Sequence, residues 1–255
     1  MEHMINDLHL TGKLVDMPQV GHEAFGEVFY YLTLTVPRLS GAEDLLPVTI
    51  SERLLEGVEL VPGSVLSIDG QVRSYNSYIE AEHKNRLILT VFVRDIKIGL
   101  DDEETRLNPN EVILNGYICK PPIYRTTPFG REIADLLIAV NRSYNKSDYI
   151  PCIAWGRNAR FAAKLTIGEN IRIWGRMQSR AYQKKKDDGE TVEKTAYEVS
   201  ISKIEYLIML HDGENEGETD AEQETRPSDD SNCNGAGASG GYYEPGGAEG
   251  PRDGE

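Results

Sequence analysis

Between residues 109 and 210 the side chains able to do chemistry are of two kinds, aromatic rings and fixed positive charges, and they are interleaved. Tyr144, Tyr149, Trp155, Trp174 and Tyr182 lie among Arg125, Arg131, Arg142, Arg157, Arg176, Arg180 and the run Lys184-Lys185-Lys186. Flat rings offer stacking faces to unpaired bases and cationic groups neutralise phosphates, so this mixture suits a single nucleic-acid strand laid along a groove. Covalent chemistry has no comparable support. The five histidines (His3, His9, His22, His83, His211) all lie outside the fold of this stretch and none is spaced with Cys or acids as a metal ligand. No P-loop, GxGxxG or GxSxG occurs. Cys119, Cys152 and Cys233 are far apart with no CxxC pair, which argues against a disulfide framework and a zinc site and suits a reducing cytosol. The expectation is a binder, not an enzyme, with no catalytic residue, metal or cofactor.

Whole-chain charge points the other way until it is divided. The 255 residues carry Lys+Arg 27 against Asp+Glu 42, a formal net charge of −15, which favours cationic partners. By segment the net is −9 over residues 1–108, +5 over 109–210 and −11 over 211–255. The last segment is crowded with Gly, Glu and Asp and nearly free of aliphatic residues, so it cannot bury enough apolar surface to offset its ordering entropy; a disordered acidic tail is expected. No apolar run approaches the roughly 18 residues of a membrane span, and the start MEHMINDLHL lacks a basic region followed by an apolar stretch. A soluble cytoplasmic protein without membrane contact is expected.

The elements that must position the rings follow from an internal repeat. A shift of 104 residues places Asn6 on Asn110, Gly12 on Gly116, Pro18 on Pro122, Phe25-Gly26 on Phe129-Gly130, Val36-Pro37-Arg38 on Val140-Asn141-Arg142 and Pro47 on Pro151. One residue later Gly63 falls on Gly168 and Gly70 on Gly175. Two such copies read as two domains of one fold, 1–98 and 109–210, joined by an acidic linker at 99–108. In the second copy, β-branched and aromatic residues predict strands at 110–119, 133–142, 149–155, 170–176 and 196–207. Turns fall at Pro121-Pro122, 127–130, 145–148, Gly168 and 184–189, and 158–165 fits a short helix. Five strands with a helix between the third and fourth is the order of the OB-fold, so the predicted class is all-β, two tandem five-stranded OB-fold barrels. Copy one has 52–60 at the helix position.

Alternation assigns faces. Tyr149, Pro151, Ile153 and Trp155 share one face of the third strand, while Ile150, Cys152 and Ala154 share the other. Trp174 shares a face with Arg172 and Arg176; a ring flanking a groove and a partly buried contact between domains or subunits both fit it.

The segments NEVILNGYI, AVNR, YIPCIAWGRNA, IGENIRIWGRMQSRAY and YEVSISKIEYL, in this order, resemble the bacterial single-stranded DNA-binding (SSB) proteins, closely over 109–208 and loosely over 5–98. The length is similar to members with two folds per chain. In the family pattern aromatic rings follow the second strand, open and close the third, and follow the fourth; the resemblance therefore implies stacking by Tyr144, Tyr149, Trp155 and Tyr182. Arg125, Arg142, Arg157, Arg176, Arg180 and Lys184, near strand ends and loops, are the expected phosphate contacts, with Lys184–Lys186 and Tyr182 placed in the loop between the last two strands.

Copy one has Ser40, Leu45 and Ser51 where copy two has Tyr144, Tyr149 and Trp155, and Asp69 where copy two has Trp174. It is expected to be a structural partner, with Arg73, Tyr75, Tyr78, Lys84 and Arg86 as a small patch. The resemblance implies a homo-oligomer that binds single-stranded DNA without sequence preference in replication, recombination and repair, associated with the nucleoid. It also implies recruitment of replication and repair proteins through the tail, although the end GPRDGE lacks the family's apolar tip. A different class of reading, an OB-fold adaptor that binds proteins through its acidic parts and nucleic acid weakly, fits the same composition.

Overall fold

A computed structural model describes residues 5–79, 84–99, 110–185 and 191–207. The expected tail, and the linker beyond Gly99, lie outside the described residues. Strand order repeats in the two halves. The first has β1 (Asn6–Leu14), β2 (Gln19–Ala24), β3 (Glu27–Pro37), β4 (Glu43–Ser51), a 3-10 turn (Glu52–Leu55), β5 (Val65–Ile79) and β6 (Lys84–Ile98). The second has β7 (Asn110–Ile118), β8 (Ile123–Thr126), β9 (Glu132–Arg142), β10 (Lys146–Trp155), helix α1 (Arg157–Ala162), β11 (Asn170–Lys185) and β12 (Thr191–Tyr206).

Each half closes on itself. β1 pairs with β5 along one edge and, through Lys13 and Leu14, with β3 on the other; β3–β4, the parallel pair β4–β6 and β6–β5 complete a ring of five strands. The second half repeats this with β7, β9, β10, β12 and β11. Alternate residues fill the interiors: Leu32, Leu34 and Val36 in one barrel, Leu136, Ile138 and Val140 in the other, are all nearly inaccessible. The matched glycines mark where the rings bend. A Cβ on Gly12 would stand 2.8 Å from the Thr35 carbonyl oxygen, and on Gly116 2.5 Å from that of Ala139, where β1 and β7 cross onto β3 and β9. At the bulges of the long hairpins, a Cβ on Gly70 or Gly175 would meet the Phe92 or Ser200 carbonyl oxygen at 2.4 and 2.3 Å.

Several expected boundaries move. β8 lies between two turns where no strand was expected, and hairpins onto β9. β10 begins at Lys146, so the turn there is reduced to residues 143–145. The helix spans Arg157–Ala162, burying Ala159 and Ala162, while copy one makes only its 3-10 turn before the chain turns at Gly57. β11 and β12 run far beyond the expected 170–176 and 196–207, to Lys185 and from Thr191. Tyr182 and Lys184 are therefore strand residues, paired with Lys194 and Val192, rather than loop residues. The ladder continues past the barrel because polar residues hydrogen-bond through their backbones as well as apolar ones do. Residues 186–190 lie outside the described residues.

The barrels join edge to edge through β1 and β7, with Asn6 opposite Leu114, Leu8 opposite Val112 and Leu10 opposite Asn110. Because Asn6 and Leu10 match Asn110 and Leu114 in the repeat, this pairing maps onto itself when the copies are exchanged. The same pseudo-twofold governs the side chains. The Asn6 amide donates to the Val72 carbonyl (2.8 Å) and accepts from the Val72 N–H (2.9 Å); Asn110 does the same with Met177 (2.7 and 2.9 Å).

Two buried aspartates lock the barrels across this axis. Asp148 accepts from the Ser74 N–H (2.7 Å) and faces Arg73 (3.1 Å) and Arg142 (3.3 Å). Its repeat mate Asp44 accepts from the Ser179 N–H (2.7 Å) and faces Arg38 (2.5 Å) and Arg176 (3.6 Å). The Ser74 and Ser179 hydroxyls in turn accept from the Tyr149 and Leu45 N–H groups (2.7 and 3.1 Å). Arg73 and Arg86 of the expected copy-one patch both reach into the second barrel, the latter to the Thr195 carbonyl (3.1 Å).

Candidate nucleic-acid interface

Register decides which of the expected residues share a surface. In β10 the core takes Ile150, Cys152 and Ala154, each fully buried, which turns Tyr149, Pro151, Ile153 and Trp155 away from the barrel interior; of these Tyr149 and Trp155 are accessible, while Pro151 and Ile153 are buried. Tyr149 stands opposite Ala139 and Trp155 opposite Ile133, and Ile133 in turn opposite Arg125 of β8. On the other side β10 runs parallel to β12, with Ile153 beside Ser200. Ser200, Glu198, Ala196 and Lys194 of β12 lie across from Arg176, Gln178, Arg180 and Tyr182 of β11. Strand partners present their side chains to one face. The outer face of β8–β9–β10–β12–β11 therefore carries Arg125, Trp155, Tyr149, Arg176, Arg180 and Tyr182 together.

Tyr144 caps this face at the β9–β10 turn, 95% exposed, with a positive φ of 63°. Trp155 is 39% exposed, and Tyr149 and Tyr182 are half-buried. Arg157, exposed, opens α1 just after Trp155 and Gly156. Lys184 lies two residues beyond Tyr182 in β11, with its backbone paired to Val192. Trp174 is the residue the fold sets apart. It lies on the other side of the Gly175 bulge, where β11 still pairs with β7, opposite Ile113 and Lys203. The Lys203 ammonium sits 4.2 Å from its ring centroid and occupies that ring face.

The arginines are anchored, which sequence reasoning missed. Arg125 donates to Asp135 (3.0 Å), and Arg180 lies 3.4 Å from Glu198, which also accepts from Gln178 (2.7 Å). Arg142 and Arg176 face the two locking aspartates. Asp135, Glu198, Asp44 and Asp148 are all buried. A guanidinium has five N–H donors and a carboxylate occupies only part of the fork, so an anchored arginine keeps outward donors while losing little freedom on binding. Arg131, Lys146 and Arg157 are exposed and have no ion-pair partner among the described residues. No signal in a single strand's sequence links Arg125 to Asp135 except their position across a hairpin that was not expected.

Burial pushes the Asp135 and Asp148 carboxyls above the ordinary aspartate value, against the lowering pull of Arg125 on the first and of the Ser74 N–H and two arginines on the second. A native value above the unfolded one means that the folded protein holds these protons more tightly. The resulting stabilisation is full below the unfolded value and is lost as pH rises through the native one. In an NMR titration of the side-chain carboxyls, both are expected to protonate above about 3.9. Midpoints at or below that value would show that the arginines outweigh burial.

Copy one keeps Arg38 at the position of Arg142 but differs over the rest of this face. Tyr31, Thr49, Tyr75 and Thr90 stand where the second barrel has Asp135, Ile153, Arg180 and Glu198, and they line a cleft of about 240 Å³ with Pro47 and Ile88. Its rings hold one another: His22 stacks on Phe29 at 5.0 Å between centroids and contacts the Tyr31 hydroxyl at 3.2 Å.

Among the described residues no group of three His, Cys, Asp or Glu side chains is placed to hold a metal, and no helix is long and apolar enough to cross a membrane. The match with known proteins falls on the half that carries the aromatic and basic face. The model of the single-strand binding protein family matches residues 109–207. The single-stranded DNA-binding protein of Clostridium tetani is 32% identical over 105 residues, 38% of this chain and 70% of that protein. The chain belongs to the single-strand binding protein family. Another relative, single-stranded DNA-binding protein 2 of Listeria innocua, is 34% identical over 105 residues, and the chain spans 64% of its length. Among solved structures, the wild-type single-stranded DNA binding protein of Thermus aquaticus has the same fold. It has a TM-score of 0.62 at 21% identity, covering 86% of this chain and 98% of that one. Within the SSB family match lie all eleven expected site residues, from Arg125 to Lys184.

Proposed function

We propose that this SSB-family chain binds single-stranded DNA without sequence preference on the outer face of the second barrel. Bases stack on Tyr144, Tyr149, Trp155 and Tyr182, while Arg125, Arg157, Arg180 and Lys184 hold phosphates. The observation that carries this reading is the register, which aligns rings and anchored guanidiniums on one face of the only segment with a positive net charge, +5 over residues 109–210. A single strand exposes base faces and one charge per nucleotide, and both kinds of partner are present on that face. Arg142 and Arg176 serve first to lock the barrels. The first barrel is a structural partner, and the acidic tail competes with DNA for the basic face and docks replication and repair proteins. The chain acts as a nucleoid-associated homo-oligomer that protects single strands.

Titration with poly(dT) tests this directly. Trp155 emission is expected to be quenched on saturation, because a stacked base lies against the ring. The midpoint should move with salt by about 0.7 in log K per log salt for each phosphate neutralised. Unchanged emission with no salt-dependent binding would instead fit the protein-binding adaptor.

A further inference from the structure

The repeat leaves one pair of rings unused by either barrel. Phe25 and Phe129 stand at the tips of the β2–β3 and β8–β9 hairpins, each followed by a glycine of positive φ, and are 110% and 75% exposed. A phenylalanine held fully in water contributes nothing to its own barrel. The Phe129 tip is tightly built. The Thr127 N–H donates to the Arg131 carbonyl (2.8 Å), the Gly130 N–H to the Thr127 carbonyl (2.9 Å), and the Arg131 N–H to the Thr127 hydroxyl (3.0 Å). It presents an exposed ring on a fixed post.

Position and field separate the two tips. Ile133, the strand partner of Trp155, is four residues from Phe129, so the backbone between them spans at most about 14 Å. The tip thus stands at the Trp155 end of the proposed binding face. Exposed Arg131 and Arg160, the latter 3.6 Å from Glu132, accompany it; at the matching positions the first barrel has Glu27, paired with Arg53, and exposed Glu56, with exposed Glu23 just before the turn. The Phe25 tip is therefore an equivalent ring in an acidic setting.

We propose that Phe129, with Arg131, is a further stacking post that holds a base of the single strand as it leaves the Trp155 end of the second barrel. This rests on the function proposed above. A polyanion is attracted to the Phe129 tip and repelled from the Phe25 tip, so one exposed ring binds a base and its repeat mate does not.

Affinity of the full chain for oligothymidylate tests it, with sedimentation run in parallel. Phe129→Ala is expected to weaken binding about fivefold or more, the lower end of one base stack. Phe129→Tyr should restore it, Arg131→Glu should weaken it further with a shallower salt slope, and Phe25→Ala should stay within about twofold of the parent. If Phe129→Ala also stays within about twofold while Trp155→Ala binds poorly, the post is refuted and the second-barrel interface stands. Failure of the parent chain to bind refutes both. Loss of affinity together with a changed oligomer mass would assign Phe129 to subunit contact and overturn the proposal.

Discussion

Replacing Trp155 with alanine is expected to weaken binding of a labelled oligothymidylate by roughly 5- to 150-fold, the range of one base stack at about 1–3 kcal/mol. The ring is 39% exposed on a strand whose opposite face is fully buried through Ile150, Cys152 and Ala154. Its backbone is fixed by the ladder to Ile133, and its loss removes a platform without disturbing the core. No charge changes, so the salt slope should match that of the parent. Trp155→Phe should recover most of the affinity. Arg157→Ala should behave in the opposite way, with a modest loss and a slope shallower by about 0.7. Anisotropy titrations at two salt concentrations separate these outcomes, and a Trp155→Ala protein that binds within about twofold of the parent would remove the ring from the interface.

The second large effect is on stability. Asp148 is completely buried and gathers Arg73, Arg142 and the Ser74 N–H from two barrels. Asp148→Ala leaves two guanidiniums without their counter-charge and a buried N–H without an acceptor, and such losses cost about 3–5 kcal/mol. At about 2–4 °C per kcal/mol for a chain of this size, the melting temperature at neutral pH should fall by roughly 6–20 °C. Asp148→Asn, which keeps an acceptor for Ser74, should fall less. Asp44→Ala should match Asp148→Ala, since Arg38, Arg176 and Ser179 surround it in the same way. A change below about 1 kcal/mol in Asp148→Ala would mean that the Asp148 cluster adds little to the β1–β7 ladder and the Asp44 contacts.

The repeat was legible because the residues that matched were those the geometry constrains most. Gly12, Gly116, Gly70 and Gly175 sit where a Cβ would strike a carbonyl oxygen of the neighbouring strand, and Asn6 and Asn110 each bridge both backbone groups of one residue. β10 was legible from alternation, since one of its faces is core. What stayed hidden had no apolar period. β2 contains a bulge at Gly21, β8 has four residues, and the distal part of β11 reads QSRAYQKK, a polar stretch whose strand character comes from pairing with β12. The anchoring of the arginines was equally invisible. Asp148 meets Ser74 across 74 residues and Asp44 meets Ser179 across 135, and only the closed fold brings these partners within reach. Tyr31 carried no signal, because it replaces Asp135 rather than matching another ring, and Tyr75, expected in a patch with Arg73 and Arg86, lines a cleft with Tyr31 instead.

The edge-to-edge ladder has a consequence for how the chain is made. β1 is synthesised about 100 residues before β7, the strand that covers Asn6–Leu10 on the edge away from β5. At about 5–20 residues per second that edge waits roughly 5–20 s with its N–H and C=O groups unpaired. An unpaired edge is a template, and the strand that fits it best is β7 of any neighbouring nascent chain. Crowded synthesis should therefore yield swapped dimers in which each ladder is intact but its two strands belong to different molecules.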